Sequence, residues 1–204
     1  MIALVDYGLG NIQAFANIYR RLGIEAYPAR TTTDLRQAAR IILPGVGAFD
    51  WAMTRLQESG LREALDEEVL GAKKPVLGIC VGMQMMARSS EEGILPGLAW
   101  IDATVVRFDT RLLAGKTHLP HMGWNDVKPL SSDTLFSGLD ASQYYFLHSY
   151  FLRPARQENI LAITSYGVTF SSAARSGNVY GTQFHPEKSH QSGVQLLKNF
   201  AVLT

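Results

Sequence analysis

The sequence predicts an α/β fold: a single three-layer domain with a mostly parallel central sheet flanked by helices, plus antiparallel strands in the C-terminal half. Three observations support this prediction. Up to Ser89, short apolar runs alternate with segments of helical periodicity, which is typical of a parallel sheet covered on both faces. After Ser89, strand-like runs are separated by Gly, Pro, Asn and Ser turns, which favours antiparallel pairing. The length of 204 residues fits one large domain, so we expect residues 1–204 to fold together.

In the first half, turn residues separate the elements. Ile2 to Val5 is an apolar run closed by a glycine turn, and helical spacing then extends from Asn11 to Leu22, before Gly23. The other elements predicted in this half are strands at 24–27, 41–43 and 75–79 and helices at 51–57, 61–70 and 82–88. In the second half, the predicted strands are 99–108, 144–147, 160–165 and 179–184, and an amphipathic closing helix is predicted at 193–202.

Composition excludes several classes of protein. Cys80 is the only cysteine, so the chain has no internal disulfide, and we expect a reducing, cytoplasmic location. Nineteen Lys and Arg against eighteen Asp and Glu leave a net charge of +1, which argues against binding to nucleic acid. The most apolar stretch, from Pro75 to Met83, is far shorter than the roughly 18 residues of a membrane-spanning helix. The N-terminus has no basic leader, so we expect no signal peptide and no membrane association.

The cysteine lies where a predicted strand meets a predicted helix. Gly78 and Gly82 flank Cys80 at two residues on either side, and small residues there allow a sharp turn that holds the central side chain exposed above the sheet edge. A helix N-terminus also favours the thiolate, which is the nucleophilic form of cysteine. These features predict a nucleophile. The alternative is a buried structural cysteine.

A nucleophilic cysteine needs a base, and His185 has the most specific setting of the five histidines. Pro186 favours an extended conformation, so His185 and Glu187 can point to the same side. Glu187 can then fix the tautomer of the imidazole that faces the sulfur, as in a nucleophile–base–orienter triad. The alternative is an exposed loop histidine beside a solvated glutamate.

Acyl transfer also needs donors for a developing oxyanion. Two glycines in the segment 44–47 allow a peptide N–H of Val46 or Gly47 to turn toward that charge, and the N–H of Val81 is a natural second donor. A plain turn is the alternative for this segment. We expect neither a metal nor another cofactor, because one cysteine and scattered histidines give no metal-ligand spacing.

Taken together, three motifs resemble those of class I (triad-type) glutamine amidotransferases in order and spacing over the whole chain. They are Pro-Gly-Val-Gly at 44–47, Gly-Ile-Cys-Val-Gly-Met-Gln at 78–84 and His-Pro-Glu at 185–187. The segments 6–11, 120–125, 145–150 and 181–189 are further similar to the glutaminase subunits of imidazole glycerol phosphate synthases in histidine biosynthesis. One departure is Val81, where leucine is more usual, and a backbone donor tolerates that change.

The resemblance implies that Cys80 attacks the side-chain amide of glutamine to form a glutamyl thioester. His185 would protonate the departing ammonia and then activate water, while Glu187 orients it. The oxyanion loop would have to rearrange, with Val46 or Gly47 as donor. The remaining implied residues are Gln84, Ser149 and Tyr150 against the glutamine substrate, and Asn11, Trp124, Tyr145 and Lys188 at a partner interface.

The chain length bears on that partner. A (β/α)₈ cyclase barrel alone takes about 250 residues, and no residues remain for one here. We therefore expect a heterodimer with a separate cyclase subunit that receives the ammonia directly and makes imidazole glycerol phosphate and aminoimidazole carboxamide ribotide. Two alternatives stay open: a glutaminase that feeds another synthase, such as pyridoxal phosphate, anthranilate or GMP synthase, and a non-catalytic α/β interaction module in which Cys80 is merely packed.

Overall fold

The computed structural model describes residues 1–112, 118–131, 134–140 and 142–203. The strands are β1 (Ile2–Val5), β2 (Ala26–Ala29), β3 (Arg40–Gly45), β4 (Val76–Cys80), β5 (Ser89–Ser90), β6 (Ala103–Arg107), β7 (His121–Pro129), β8 (Ser142–His148), β9 (Tyr150–Pro154), β10 (Ile160–Tyr166), β11 (Val168–Ser176) and β12 (Val179–Thr182). The α-helices are α1 (Ile12–Arg21), α2 (Thr32–Gln37), α3 (Phe49–Glu58), α4 (Arg62–Asp66), α5 (Val81–Met85) and α6 (His190–Val202). A π-helical turn (Glu67–Gly71) extends α4, and 3₁₀ turns lie at Thr110–Leu112, Thr134–Phe136, Gln157–Asn159 and Pro186–Lys188.

The large sheet has the strand order β2-β1-β3-β4-β12-β11-β10-β7-β8 within the described ranges. Neighbouring strands from β2 to β12 are parallel. The pairs from β12 to β8 are all antiparallel. A small second sheet joins β5, β6 and β9. The α/β prediction is confirmed, and the sheet is mixed because the C-terminal strands extend the parallel half instead of forming a separate layer.

Burial explains why the two halves differ. Every residue of β1, β4 and β12 is buried, as expected for central parallel strands covered on both faces, and their sequences are correspondingly apolar. In β7, buried and exposed residues alternate more, which is typical of an antiparallel strand with one solvated face. Helices α1 and α6 pack together, and the Tyr19 hydroxyl donates a hydrogen bond to the Leu197 carbonyl at 3.1 Å.

Local sequence signals account for helix boundaries. The Asn11 side chain caps α1 by accepting a hydrogen bond from the Ala14 N–H at 3.1 Å. Helix α2 was not predicted, although a capping box marks its start: Thr31 accepts from the Asp34 N–H, and the Asp34 carboxylate accepts from the Thr31 N–H. Helix α2 has six residues, and only Leu35 among them is buried. A single buried position cannot show apolar periodicity, so the sequence pattern did not reveal this helix.

Four strands were also missed, namely β5, β7, β9 and β11. The helix predicted at 82–88 is shorter than expected and begins one residue earlier, as α5. No helix in the described part of the chain has both the length and the apolar character needed to span a bilayer.

Candidate active site

The carboxyl ends of three neighbouring parallel strands bring the predicted residues to one edge of the sheet. Strands β3 and β4 are in register through Gly45 and Cys80, and β4 and β12 through Ile79 and Thr182. Because β3, β4 and β12 run in the same direction, the segments that leave them meet at this edge. The chain leaving β12 reaches His185 three residues later.

Cys80 occupies a strained strand-to-helix turn. Its backbone has φ 55° and ψ −113°, in the left-handed half of φ space that a non-glycine residue rarely adopts. The flanking glycines are required by close packing. A Cβ on Gly78 would lie 2.8 Å from the Gly82 carbonyl oxygen, and one on Gly82 would lie 1.9 Å from the Leu43 oxygen. The turn therefore forms only with glycine at these positions.

The prediction that this turn exposes Cys80 was wrong. The residue is only 4% exposed, because strands of the C-terminal half cover it: the sulfur lies 3.9 Å from the Leu147 carbonyl oxygen at the end of β8. Cys80 nevertheless lines a cavity of about 340 Å³. The other lining residues are Val46, Gly47, Val81, Gln84, Glu92, Pro120, Leu147, His148, Ser149, Tyr150, His185 and Lys188.

His185 and Glu187 form a buried pair beside the cysteine. His185 is extended, as predicted, but the prediction that the extended segment continues to Glu187 was wrong, because Pro186 begins the 3₁₀ turn Pro186–Lys188. The His185 Nδ1 lies 2.9 Å from Glu187 Oε1, and both side chains are 4% exposed. Burial is the largest influence on the pKa of His185 and lowers it. Hydrogen bonding to Cys80 and Glu187, with their charges, outweighs burial and raises this pKa to about 9. The imidazole is thus set to hold a proton at neutral pH, next to the sulfur.

This raised pKa predicts a loss of stability at alkaline pH. Between the ordinary pKa of 6.5 and about 9, the folded chain keeps a proton on His185 that the unfolded chain releases. The contribution to the free energy of unfolding is complete below pH 6.5 and is lost as the pH rises through 9, on the order of 3 kcal/mol at about 1.4 kcal/mol per pKa unit. Urea unfolding measured across this range checks the prediction.

The matched variant for this experiment is Glu187→Gln, which keeps a hydrogen-bond acceptor but removes the charge. It should flatten the alkaline decline, whereas His118→Gln, at an exposed histidine, should keep the wild-type profile. A Glu187→Gln profile with the full wild-type slope would contradict the prediction.

The predicted oxyanion loop follows β3. The Tyr7 hydroxyl anchors it by donating to the Pro44 carbonyl at 2.7 Å. Beyond that anchor, Val46 is 40% exposed and Gly47 has φ +85°, a conformation that favours glycine. Both residues line the cavity, as does Val81 at the start of α5. That the N–H of Val46 or of Gly47 donates to the oxyanion stays a prediction.

The three residues predicted to contact glutamine also line the cavity, and the structure adds partners for them. Gln84 Nε2 donates to the Tyr150 carbonyl at 3.0 Å and to Gln183 Oε1 at 3.0 Å. His148 Nδ1 lies 2.8 Å from the same Tyr150 carbonyl, and Ser149 lies between them in sequence. Two side chains thus hold one carbonyl of this cavity wall.

Behind this wall is a pair of histidines that looked scattered in the sequence. His121 Nδ1 lies 2.9 Å from His148 Nε2, and Asn125 Nδ2 lies 3.1 Å from His121 Nε2. Because the Tyr150 carbonyl can only accept, His148 donates to it through Nδ1, so His148 Nε2 accepts from His121 Nδ1. His121 Nε2 in turn accepts from the Asn125 amide. Burial lowers the pKa of His148 to about 3 and that of His121 to about 4, so both rings are neutral at neutral pH.

Of the four predicted interface residues, three lie together. Lys188 Nζ is 5.6 Å from the centre of the Tyr145 ring, and the Trp124 and Tyr145 rings are 6.2 Å apart. Tyr145 also pairs with the backbone of His185, which places this group next to the cavity. Asn11 is the cap of α1, a helix that contacts the 3₁₀ turn Pro186–Lys188. Their contact with a partner stays a prediction.

Gln183 was missed as a site residue. It is fully buried, and its Nε2 lies 3.7 Å from the sulfur of Cys80. A signal for it was present, because in an extended segment residues two apart point to the same side, and Gln183 precedes His185 by two.

Comparisons with known proteins agree with this geometry. The family model described as "Glutamine amidotransferase class-I" matches residues 3–203. The protein named imidazole glycerol phosphate synthase subunit HisH from Bdellovibrio bacteriovorus is 57% identical over 204 residues, covering 98% of this chain and 99% of that protein. The subunit named HisH 2 from Pseudomonas aeruginosa is 47% identical, with full coverage of both chains.

Solved structures support the fold. A crystal structure described as a glutamine amidotransferase matches with a TM-score of 0.74 at 21% identity, covering 98% of this chain and 99% of that one. A glutamine amidotransferase from Thermotoga maritima matches with a TM-score of 0.64 at 19% identity, covering 97% and 82%. With the family model matched over nearly the whole chain, and with Cys80, His185 and Glu187 gathered at one edge of the sheet, this chain belongs to the class I glutamine amidotransferases.

Proposed function

We propose that this chain is the glutaminase subunit of a two-chain imidazole glycerol phosphate synthase, with residues 1–204 as one amidotransferase domain. The observation that carries the proposal is the position of Cys80 in the same cavity as His185, whose other ring nitrogen lies 2.9 Å from Glu187. A cysteine that is merely packed would have no need of a strained turn or of an imidazole held by a buried carboxylate. The names of the two HisH relatives support the choice of synthase.

In the first step, the Cys80 sulfur attacks the side-chain amide carbon of glutamine. The carbon–sulfur bond forms, and the amide oxygen becomes an oxyanion that the N–H of Val81 and that of Val46 or Gly47 stabilise. The proton on His185 passes to the amide nitrogen, the carbon–nitrogen bond breaks, and ammonia leaves. The raised pKa of His185 suits this role, because the proton is already on the ring at neutral pH.

In the second step, a water molecule attacks the carbonyl carbon of the glutamyl thioester, and neutral His185 takes a proton from that water. The carbon–sulfur bond breaks, the new γ-carboxyl group releases its own proton to solvent and glutamate leaves, while the proton taken from the attacking water stays on His185 beside the Cys80 thiolate. Glu187 orients the ring in both steps through its contact with Nδ1.

Gln84, Ser149 and Tyr150 form the substrate side of the cavity. Both N–H groups of the Gln84 amide are used on Tyr150 and Gln183, so the oxygen is the atom that can meet the substrate. That oxygen would accept from the α-ammonium group of glutamine. The arrangement favours an amino acid over a simple amide.

The ammonia would pass to a cyclase subunit that uses it to make imidazole glycerol phosphate. Trp124, Tyr145 and Lys188 lie beside the cavity and include exposed aromatic surface, since Trp124 is 46% exposed. They would form the docking face with Asn11. Direct transfer keeps ammonia from protonation and dilution in bulk water. A cytoplasmic location, inferred from the single cysteine, completes the proposal.

An electrophilic diazo-ketone analogue of glutamine tests the proposal. We expect it to attach one equivalent to Cys80, located by mass spectrometry, and glutamine to protect against it. An analogue without the α-amino group should react far more slowly. No attachment at Cys80 in the complex with the cyclase subunit would refute the proposed activity.

The same complex tests the partner. The oxyanion loop is expected to need rearrangement, so the chain alone should release glutamate slowly, and the cyclase subunit with its ligand should accelerate release. A full rate in the isolated chain would contradict this expectation, and failure to bind the cyclase subunit in a pull-down would favour another synthase.

A further inference from the structure

Two glutamine side chains connect the Cys80 sulfur to the wall of the cavity. Gln84 and Gln183 are 2% and 0% exposed, so neither can exchange its contacts for water. Gln84 Nε2 lies 3.0 Å from both the Tyr150 carbonyl oxygen and Gln183 Oε1, and Gln183 Nε2 lies 3.7 Å from the sulfur. The chain of contacts therefore runs from Tyr150 through both amides to Cys80.

The orientation of both amides follows from one acceptor. A carbonyl oxygen can only accept, so the Gln84 atom that faces Tyr150 must be the NH₂ nitrogen. Its second N–H then faces Gln183, which must present its oxygen there because two donors would repel each other. The remaining end of the Gln183 amide is its NH₂ group, and this end faces the sulfur. His148 donates to the same Tyr150 carbonyl, which holds this acceptor in place.

A donor at this position acts differently on the two forms of cysteine. The neutral thiol can donate its own proton, and the Leu147 carbonyl lies 3.9 Å away as an acceptor. The thiolate is an acceptor only, and it gains the N–H of Gln183. Hydrogen bonding to the charged form favours that form, so the Gln183 amide shifts the balance toward the nucleophile.

We propose that Gln183 is a further catalytic residue, whose side-chain N–H stabilises the Cys80 thiolate while Gln84 and the Tyr150 carbonyl fix its orientation. This inference rests on the proposed function, in which that sulfur attacks glutamine. The same N–H also stabilises the sulfur when the thioester breaks and the thiolate leaves, so it serves both halves of the reaction.

The test is the pH dependence of Cys80 alkylation by iodoacetamide in the full chain. Gln183→Met keeps the length of the side chain and removes the donor. We expect alkylation below the thiol pKa to slow about tenfold, with the pH profile displaced upward by about one unit, the size of a hydrogen bond to a charged group. For glutamate release in the complex with the cyclase subunit, kcat should fall by a similar factor while KM changes little.

The control is Ser172→Ala. Ser172 is fully buried and its backbone carbonyl accepts from the Gln183 N–H, but its hydroxyl has no hydrogen-bond partner in the described chain. This variant should keep the wild-type alkylation profile. An unchanged alkylation profile in folded Gln183→Met would overturn the inference.

A second variant, Gln84→Met, leaves Gln183 without its anchor and should displace the profile in the same direction by a smaller amount. If Gln183→Met does not fold, this variant decides, and an unchanged profile in it overturns the inference. Alkylation needs no glutamine, so the result is independent of the proposed function. That function fails separately if the diazo-ketone analogue leaves Cys80 unmodified.

Discussion

Replacing Cys80 with alanine is expected to reduce glutamate release by about 10⁴-fold or more, because removing the nucleophile of a triad leaves only binding and oxyanion stabilisation. Cys80 is the only cysteine in the chain, and its sulfur lies in the cavity that His185 lines. No other described residue of this cavity carries a thiol. The measurement is glutamate formation from glutamine, followed in the complex with the cyclase subunit and its ligand present.

The same complex provides the control. With ammonium salt in place of glutamine, the cyclase subunit should form product as fast beside the Cys80→Ala chain as beside the wild type, because the alanine side chain leaves the docking face unchanged. Glutamate release that survives the substitution would show that another group attacks glutamine.

The second large effect concerns folding. Replacing Gly82 with alanine is expected to lower the free energy of unfolding by about 3 kcal/mol or more, the range of severe overpacking. The added Cβ would lie 1.9 Å from the Leu43 carbonyl oxygen and 2.9 Å from its carbon. Both are backbone atoms, so no side-chain rotation relieves the clash, and β3 and α5 must move apart. Urea unfolding measures the change.

Gly71→Ala is the matched control. It lies at the end of the π-helical turn, and nothing is within 4 Å of its Cβ position. This variant should be neutral or more stable by up to about 1 kcal/mol, because alanine reduces the freedom of the unfolded chain. Equal unfolding free energies for the two alanine variants would contradict the packing argument.

The triad candidates could be identified from the amino-acid sequence because their signals are local. Glycines at two residues on either side of Cys80 predict the sharp turn, and the Pro after His185 predicts the extended conformation of His185 itself. Glu187 lies in the 3₁₀ turn Pro186–Lys188 and reaches the imidazole from there, which the sequence did not predict. The structure confirms the α/β class and the alternation of strands and helices in the first half. Element ends were less accurate, and α2 was missed because it buries only Leu35.

The contacts around the sulfur could not be predicted in the same way. Gln183 contacts Cys80 across 103 residues of sequence, and Gln84 contacts Gln183 across 99. His121 and His148 are brought together by the pairing of β7 with β8. Each residue alone looks like an ordinary polar side chain, and only the packing of distant strands gives it a partner.

The sequence by itself determined the fold class, the turn that carries the cysteine and the residues that could serve as its base and orienter, because these depend on backbone preferences over a few neighbouring positions. Only the tertiary structure decided how deeply the sulfur is buried, which groups donate to it and which histidines stay neutral. Those properties depend on what the C-terminal strands place over the edge of the parallel sheet, and such long-range packing has no local signature.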